Sequence, residues 1–343
     1  MRQTQIRERL LPERPVKKQT PSSAVLKAEN ITKDFGRLRA LDHVSFEIQK
    51  REIVGLLGPN GAGKTTAVRI LTGFFPPSQG KVWLAGEELF ENPKAMKRRI
   101  GYLPESVSLY PDMRVQEFLD FVAGVKSVPA NKQKAHLEEI VSRCGLWDVR
   151  RRMIGYLSKG FRQRVGLAQA IVGDPHILVF DEPTNGLDPK QIVEIRSLIR
   201  EIGKERTVLL CTHILPEVSA VCDRVLILNR GRVVASGTAE ELEQGLNNRR
   251  NVFVTIGDTA KKEEALALFK TVPGVENAAI FEEKPDQTTF SLDVSSENDV
   301  RPEISRLCVS RQLPLLEIRS GHLSLEEIFM KVIVREEPAP ISL

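Results

Sequence analysis

Apolar residues fall into two patterns along this chain. Three short runs are apolar at nearly every position: Ile53-Val54-Gly55-Leu56-Leu57, Ile177-Leu178-Val179-Phe180 and Val208-Leu209-Leu210-Cys211. A run without alternation predicts a strand covered on both faces, as in a parallel sheet. Elsewhere the spacing is periodic. Ala24 to Lys33 reads as a strand closed by the turn Asp34-Phe35-Gly36, and Leu41 to Ile48 alternates like a second strand. Ala67 to Leu71 has helical spacing, and Phe75-Pro76-Pro77-Ser78-Gln79-Gly80 breaks the chain after it. Lys81 to Gly86 and Ile100 to Glu105 read as strands, the second ending at Pro104. Residues 115–147 carry Val115, Phe118, Leu119, Val122, Leu137, Ile140 and Val141 at helical intervals. A helix with Val165, Leu167, Ala168 and Ile171 follows, capped by Ser158 and stopped by Asp174-Pro175. Gln191 to Glu201 reads as a further helix. A helical segment is thus inserted between strand-rich parts of an α/β fold.

Gln244 to Arg250 reads as a linker, and the pattern changes beyond it. Strands are predicted at 252–256, 275–281, 289–294 and 314–318, with helices at 260–270 and 298–311. That order, β-α-β-β-α-β, fits a small ferredoxin-like sandwich. A last helix over 325–334 places Leu325, Ile328, Phe329 and Val332 on one face, suited to packing.

Each unbroken run delivers polar groups at its carboxyl end, where open α/β sheets gather their sites. After the first comes Gly58-Pro59-Asn60-Gly61-Ala62-Gly63-Lys64-Thr65-Thr66. Strand, glycine loop and helix are the context in which this spacing binds phosphate. The glycines let the backbone approach the anion, and the helix N-terminus faces it with about half a positive charge. Lys64 would reach the β- and γ-phosphates of a nucleotide, and the Thr65 hydroxyl would ligate Mg²⁺. The second run ends in Asp181-Glu182-Pro183. Two adjacent acids there call for a partner. Asp181 would bind Mg²⁺, directly or through water, and Glu182 would polarise the attacking water. The third run ends in Thr212-His213, placing His213 as a γ-phosphate contact. Phe35, beside a turn glycine, suits either a core or a base-stacking platform.

Composition narrows the class. The chain has 343 residues, is 41% hydrophobic and suggests about two domains. No stretch approaches the ~20 apolar residues needed to span a bilayer, and residues 1–23 hold no apolar leader. A cytoplasmic protein is expected. The formal charge is +5, of which residues 1–23 carry +4. The basic balance therefore belongs to an arm, read as a disordered leader or as one attracted to anionic lipid. The near-neutral body has no nucleic-acid-binding face. Cys144, Cys211, Cys222 and Cys308 are scattered, so reduced thiols are expected and a metal cluster is not.

Taken together, these elements resemble the ATP-binding subunit of an ABC (ATP-binding cassette) transporter over about residues 24–245. Gly58–Thr66 looks like Walker A, Ile177–Glu182 like Walker B, and Leu157-Ser158-Lys159-Gly160-Phe161 like the signature. Asn185–Asp188 looks like the D-loop, His213 like the H-loop switch, and Phe35 falls at the base-stacking aromatic. Tyr102-Leu103-Pro104-Glu105 and Leu157 to Gly160 look like the ABC-2 exporter class, including its gliding-motility-associated subgroup. The resemblance implies three parts: the arm 1–23, a cassette 24–245 with a helical subdomain at about 106–172, and an accessory unit 246–343. It implies ATP hydrolysis with Mg²⁺ and a homodimer sandwiching two ATP molecules. Ser158 and Gly160 of one copy would then meet the γ-phosphate held by Lys64 of the other, with Asp188 nearby. It also implies a separately encoded transmembrane permease and peripheral association with the cytoplasmic face of the plasma (inner) membrane. Glu105 stands where most relatives carry Gln: it keeps an oxygen for Mg²⁺ or water, loses an amide donor and adds charge near the metal. Lys159 and Phe161 also depart from the general signature; Lys159 either faces the opposite nucleotide or water. The competing class, a soluble ABC ATPase acting on ribosomes or DNA, would bring two cassettes in one chain or a long coiled coil. Sustained heptads are missing here.

Overall fold

The computed structural model describes residues 24–246, 250–257, 259–294, 299–321 and 329. Strands β1 (Ala24–Phe35) and β2 (Leu38–Gln49) form an antiparallel pair, followed by β3 (Ile53–Leu57), buried at every position. Helix α1 (Lys64–Leu71) follows the glycine loop, and β4 (Gln79–Leu84), β5 (Glu87–Glu88), α2 (Pro93–Arg98) and β6 (Ile100–Leu103) come next. The inserted helices are α3 (Val115–Val125), α4 (Ala130–Arg143) and α5 (Lys159–Ile171). Then β7 (Ile177–Asp181), α6 (Pro189–Gly203), β8 (Thr207–Thr212), α7 (Leu215–Val221), β9 (Arg224–Asn229), β10 (Arg232–Gly237) and α8 (Ala239–Leu246) complete the first unit.

Its central sheet has the order β10-β9-β3-β8-β7-β6, parallel except for β10. A second, antiparallel sheet has the order β2-β1-β4-β5. Two cores explain why the apolar runs do not alternate. Leu178, Phe180, Val208 and Leu210 face the inserted helices and α6, packing with Phe118, Leu119, Val165 and Ile199. Ile177, Val179, Leu209 and Cys211 face the other way, onto α1 and the antiparallel sheet through Val68, Leu71, Leu26 and Ile48. A polar residue anywhere in these strands would enter one core or the other.

The expected helix 115–147 is two helices. Ser127 sits at φ 60° and Pro129 caps α4. Proline cannot donate the backbone bond that would continue α3, and it biases Val128 away from helical geometry. The expected linker is also shorter, because Gln244, Gly245 and Leu246 are the last turn of α8. A reciprocal cap starts that helix: Glu241 N donates to Thr238 Oγ1 and Thr238 N to Glu241 Oε2, both at 3.0 Å.

The second unit comprises β11 (Arg250–Ile256), α9 (Lys262–Phe269), β12 (Val275–Lys284), β13 (Gln287–Val294), α10 (Arg301–Ser310) and β14 (Leu315–Gly321). The strand order β12-β13-β11-β14, antiparallel throughout, is the ferredoxin-like arrangement. Val252, Val254, Ile256, Phe269, Phe290 and Ile304 make its own core. Phe253, on the other face of β11, packs with Leu215, Val218 and Ile227 of the first unit, joined by Phe281 and Phe329. Apart from Phe329, the helix expected over 325–334 lies outside the described residues, as does the arm 1–23. Among the described residues no helix is long and apolar enough to cross a membrane.

Candidate active site

The carboxyl ends of β3, β7 and β8 lie side by side because these strands are adjacent in one parallel sheet. A cavity of about 700 Å³ opens there. Phe35, Pro59, Asn60, Gly61, Gly63, Lys64, Thr65, Thr66, Glu105, Asp181, Glu182 and His213 line it, so residues far apart in sequence meet at one place. Gly58, Ala62, Ser158, Gly160 and Asp188, also expected at the site, do not line it.

Two glycines shape the loop. Gly63 has φ 104°, and a Cβ on it would lie 2.6 Å from Ala40 O. A Cβ on Gly58 would overlap Leu228 O. The loop is thus clamped between β2 and the β9–β10 turn, where Gly231 N also donates to Ala62 O at 2.9 Å. Lys64, 8% exposed, donates to Gly58 O at 2.6 Å and to Pro59 O at 3.1 Å. Its ammonium is therefore held at the loop rim, beside the helix N-terminus.

Asp181 and Glu182 are both buried. Burial, with Glu182 and Glu105 adding repulsion, pushes the Asp181 carboxyl up to about 6, Lys64 pulling the other way. Glu182 has φ 48°, in the left-handed region that a non-glycine residue occupies at a cost. Its N–H still donates to Cys211 O at 2.8 Å, so the sheet ladder holds the strained residue in place. Glu182 Oε1 lies 2.8 Å from His213 Nδ1, and Oε2 lies 3.2 Å from Thr212 Oγ1. With Glu182 ionised, the Nδ1 proton points at the carboxylate and leaves Nε2 for another partner.

Glu105 is exposed and accepts from Asn185 Nδ2 at 2.9 Å. Phe35 stands 47% exposed, its ring edge-on to Phe75 at 5.8 Å, with Lys33 above it at 5.4 Å. It lines the cavity and is not a core residue. Ser158 caps α5, accepting from Phe161 N at 3.4 Å. Gly160 is buried beneath Gln191, whose Cδ would lie 2.7 Å from a Cβ there. Asp188 caps α6 by accepting from Gln191 N at 2.9 Å. The Lys159 ammonium lies against Gly186, in the turn that also holds Asn185.

Sequence reasoning missed Leu38, Arg39, Ala40, Arg230 and Gly231, which complete the cavity wall. Arg39 is braced by Asp34 at 2.9 Å and Asp42 at 3.0 Å. A basic residue four positions after Phe35 was a usable signal. Arg230 and Gly231 carry none, because only the pairing of β9 with β3 brings their turn to the loop.

Comparison with known proteins places this geometry. The family model described as ABC transporter matches residues 41–185. The uncharacterized ABC transporter ATP-binding protein YxlF of Bacillus subtilis is 33% identical over 310 residues, covering 90% of this chain and 99% of its own. The bacitracin transport ATP-binding protein BcrA of Bacillus licheniformis is 31% identical over 313 residues, covering 91% and 98%. A solved structure of an ATP binding subunit of an ABC transporter superposes with TM-score 0.60 at 28% identity, over 65% of this chain and 93% of its own.

Proposed function

The chain belongs to the ABC transporter ATP-binding proteins and is an ATPase; we propose that it powers a separately encoded permease of the ABC-2 exporter class. The observation that carries the catalytic assignment is the convergence of Lys64, Thr65, Asp181, Glu182 and His213 on one cavity. Lys64 and the loop N–H groups hold the β- and γ-phosphates of ATP. Phe35 offers its exposed ring to the adenine. Glu182 takes a proton from the attacking water as the water oxygen bonds to the γ-phosphorus and the bond to ADP breaks. His213, hydrogen-bonded to Glu182 through Nδ1, turns Nε2 to the γ-phosphate.

The residues present fit Mg²⁺. Asp181 is a buried carboxylate at the cavity wall, Thr65 adds a hydroxyl, and Glu105 adds a further carboxylate at the rim. Among the described residues no group of three or more His, Cys, Asp or Glu side chains could cage a metal alone. Such a sparse set suits an ion that takes its remaining ligands from phosphate and water. When bound it supplies positive charge to the phosphate oxygens.

Two copies are proposed to close on ATP. Ser158, at the start of α5, and Asp188 are exposed and outside their own copy's cavity, which leaves them available to the nucleotide of a second copy, with the buried Gly160 on the same helix turn as Ser158. Tyr110 and Phe121, exposed on the inserted helical segment, suit docking on the permease at the cytoplasmic face of the membrane. The accessory unit is read as a regulator, seated on α7 through Phe253. The test is Glu182→Gln. It is expected to bind ATP, lose ~10²-fold or more in turnover and accumulate as a dimer with ATP and Mg²⁺ on size exclusion. A monomer with wild-type turnover would falsify the proposal.

A further inference from the structure

Behind the cavity lies a buried carboxylate that the hydrolytic scheme does not use. Glu217, on α7, is 1% exposed. Its Oε1 accepts from Thr184 Oγ1 and stands 3.8 Å from the Arg196 guanidinium of α6. Its Oε2 accepts from Thr212 Oγ1 at 2.8 Å. Thr184 and Thr212 are buried as well. A carboxylate here is a poor choice for stability, since an apolar side chain of like volume avoids the desolvation cost.

The position of Thr212 gives that carboxylate a use. Thr212 Oγ1 already accepts from Ile214 N at 3.1 Å. It lies between two carboxylates, 2.8 Å from Glu217 Oε2 and 3.2 Å from Glu182 Oε2. A hydroxyl has one proton to give. Donated to Glu182, that proton would occupy Oε2, the oxygen left over once His213 holds Oε1. Donated to Glu217, it leaves Glu182 Oε2 as an open acceptor while His213 holds Oε1.

We propose that Glu217 is a positioning residue for hydrolysis, drawing the Thr212 proton away from Glu182 so that Glu182 Oε2 can accept the proton of the attacking water. The proposal rests on the reading of Glu182 as the base. By also holding Thr184, Glu217 fixes the start of the turn at 184–188 relative to the strand end that carries His213.

The experiment measures steady-state ATPase, ATP binding and melting temperature of the full chain for Glu217→Gln, Thr212→Val and their combination. Both changes keep side-chain volume. A neutral amide competes poorly with Glu182 for the Thr212 proton, so Glu217→Gln is expected to lower kcat roughly tenfold. KM and ATP affinity are expected to stay within about twofold, because only the chemical step is affected. Once Thr212 has no proton to misdirect, Glu217→Gln has nothing further to spoil. The double variant should therefore match the kcat of Thr212→Val alone. Wild-type kcat in Glu217→Gln overturns the proposal. So do additive losses in the double variant, or a fall in kcat that comes with equal changes in KM and melting temperature. Glu182→Gln separates the two readings. If it turns over normally, the base assignment fails first; if it is inactive while Glu217→Gln is normal, only the role of Glu217 falls.

Discussion

Strands of the two units end differently. In the six-stranded sheet the ends of β3, β7 and β8 lead into Lys64, Asp181, Glu182 and Thr212, all buried, with Glu217 buried behind them. In the four-stranded sheet of the accessory unit the buried polar side chains among the described residues are Thr255, Thr288, Ser291 and Asp293, mostly hydroxyls. Thr255 and Thr289 settle their polarity between themselves, Oγ1 to Oγ1 at 3.0 Å. The first unit also holds Glu182 at positive φ beside the cavity. Buried charge and backbone strain both work against folding, and here they share one strand end. The lesson is that a site stands out as the place where a fold departs from its own stability rules.

The largest effect should come from removing the loop cation. Lys64→Ala is expected to weaken ATP binding by ~10²-fold or more, since a buried charge partner of the phosphates is lost. Gly274→Ala supplies the matched change in the accessory unit. Gly274 has φ 92°, and a Cβ would lie 3.1 Å from Val300 Cγ1. It should cost about 1–2 kcal/mol of stability and leave ATP affinity unchanged. Calorimetric titration with nucleotide and a melting curve on each variant decide the contrast; equal losses of ATP binding in both would erase it.

Phe253→Leu probes the seam between the units. The ring lies 5.1 Å from Phe281, and the Arg319 guanidinium lies 4.3 Å from its centre. Losing these contacts is expected to cost about 1–2 kcal/mol in denaturant unfolding. Because α7 contributes both Val218 to this cluster and Glu217 to the catalytic side, kcat should fall as well. A stability loss with wild-type kcat would show the accessory unit to be energetically joined and functionally separate.

Lys126 threatens the comparison from outside the site. It is a partly buried lysine whose Nζ donates to Ile100 O at 3.1 Å, and burial lowers it from 10.5 to about 8. Below pH 8 it is charged in both states, and folding bears the full cost of desolvating it. Between about pH 8 and 10.5 the folded state has released a proton that the unfolded state still binds, so stability rises with pH. Lys126→Met should therefore gain about 1 kcal/mol at pH 7, a figure reduced for the partial exposure of the side chain. The advantage over wild type should shrink to nothing near pH 10.5. An advantage independent of pH would mean that packing, not charge, sets the difference.

Much of this architecture was legible in the residues themselves. Unbroken apolar runs of four or five residues, each followed by turn residues, predict strands between two cores, and the polar groups at their ends announce where a sheet would gather them. The β-α-β-β-α-β order of the second unit followed from alternation in the same way. The split before Pro129 is hidden in the pattern, because helical spacing on either side masks a four-residue break. The spacing of Thr238 and Glu241 is a capping-box signal for α8 in the sequence itself. Glu217 was not legible at all. Its partner Thr184 lies 33 residues earlier, and no local periodicity reports a contact across the intervening α6 and β8.

The smallest effect concerns the exposed carboxylate at the cavity rim. Glu105 sits at the cavity rim, hydrogen-bonded to Asn185, and its charge helps raise Asp181. Glu105→Gln removes that charge and keeps an oxygen for the Asn185 amide. Asp181 then ionises more readily, which favours a divalent cation at lower concentration, while one carboxylate oxygen for the metal is lost. The two effects oppose each other. The variant is therefore expected to keep ATPase activity within about threefold of wild type, with its change concentrated in the Mg²⁺ concentration giving half-maximal rate. ATPase titrations against Mg²⁺ at fixed ATP measure this. Identical titrations for the two proteins would leave Glu105 as a rim residue hydrogen-bonded to Asn185, and would confine the functional charge of the site to its buried members.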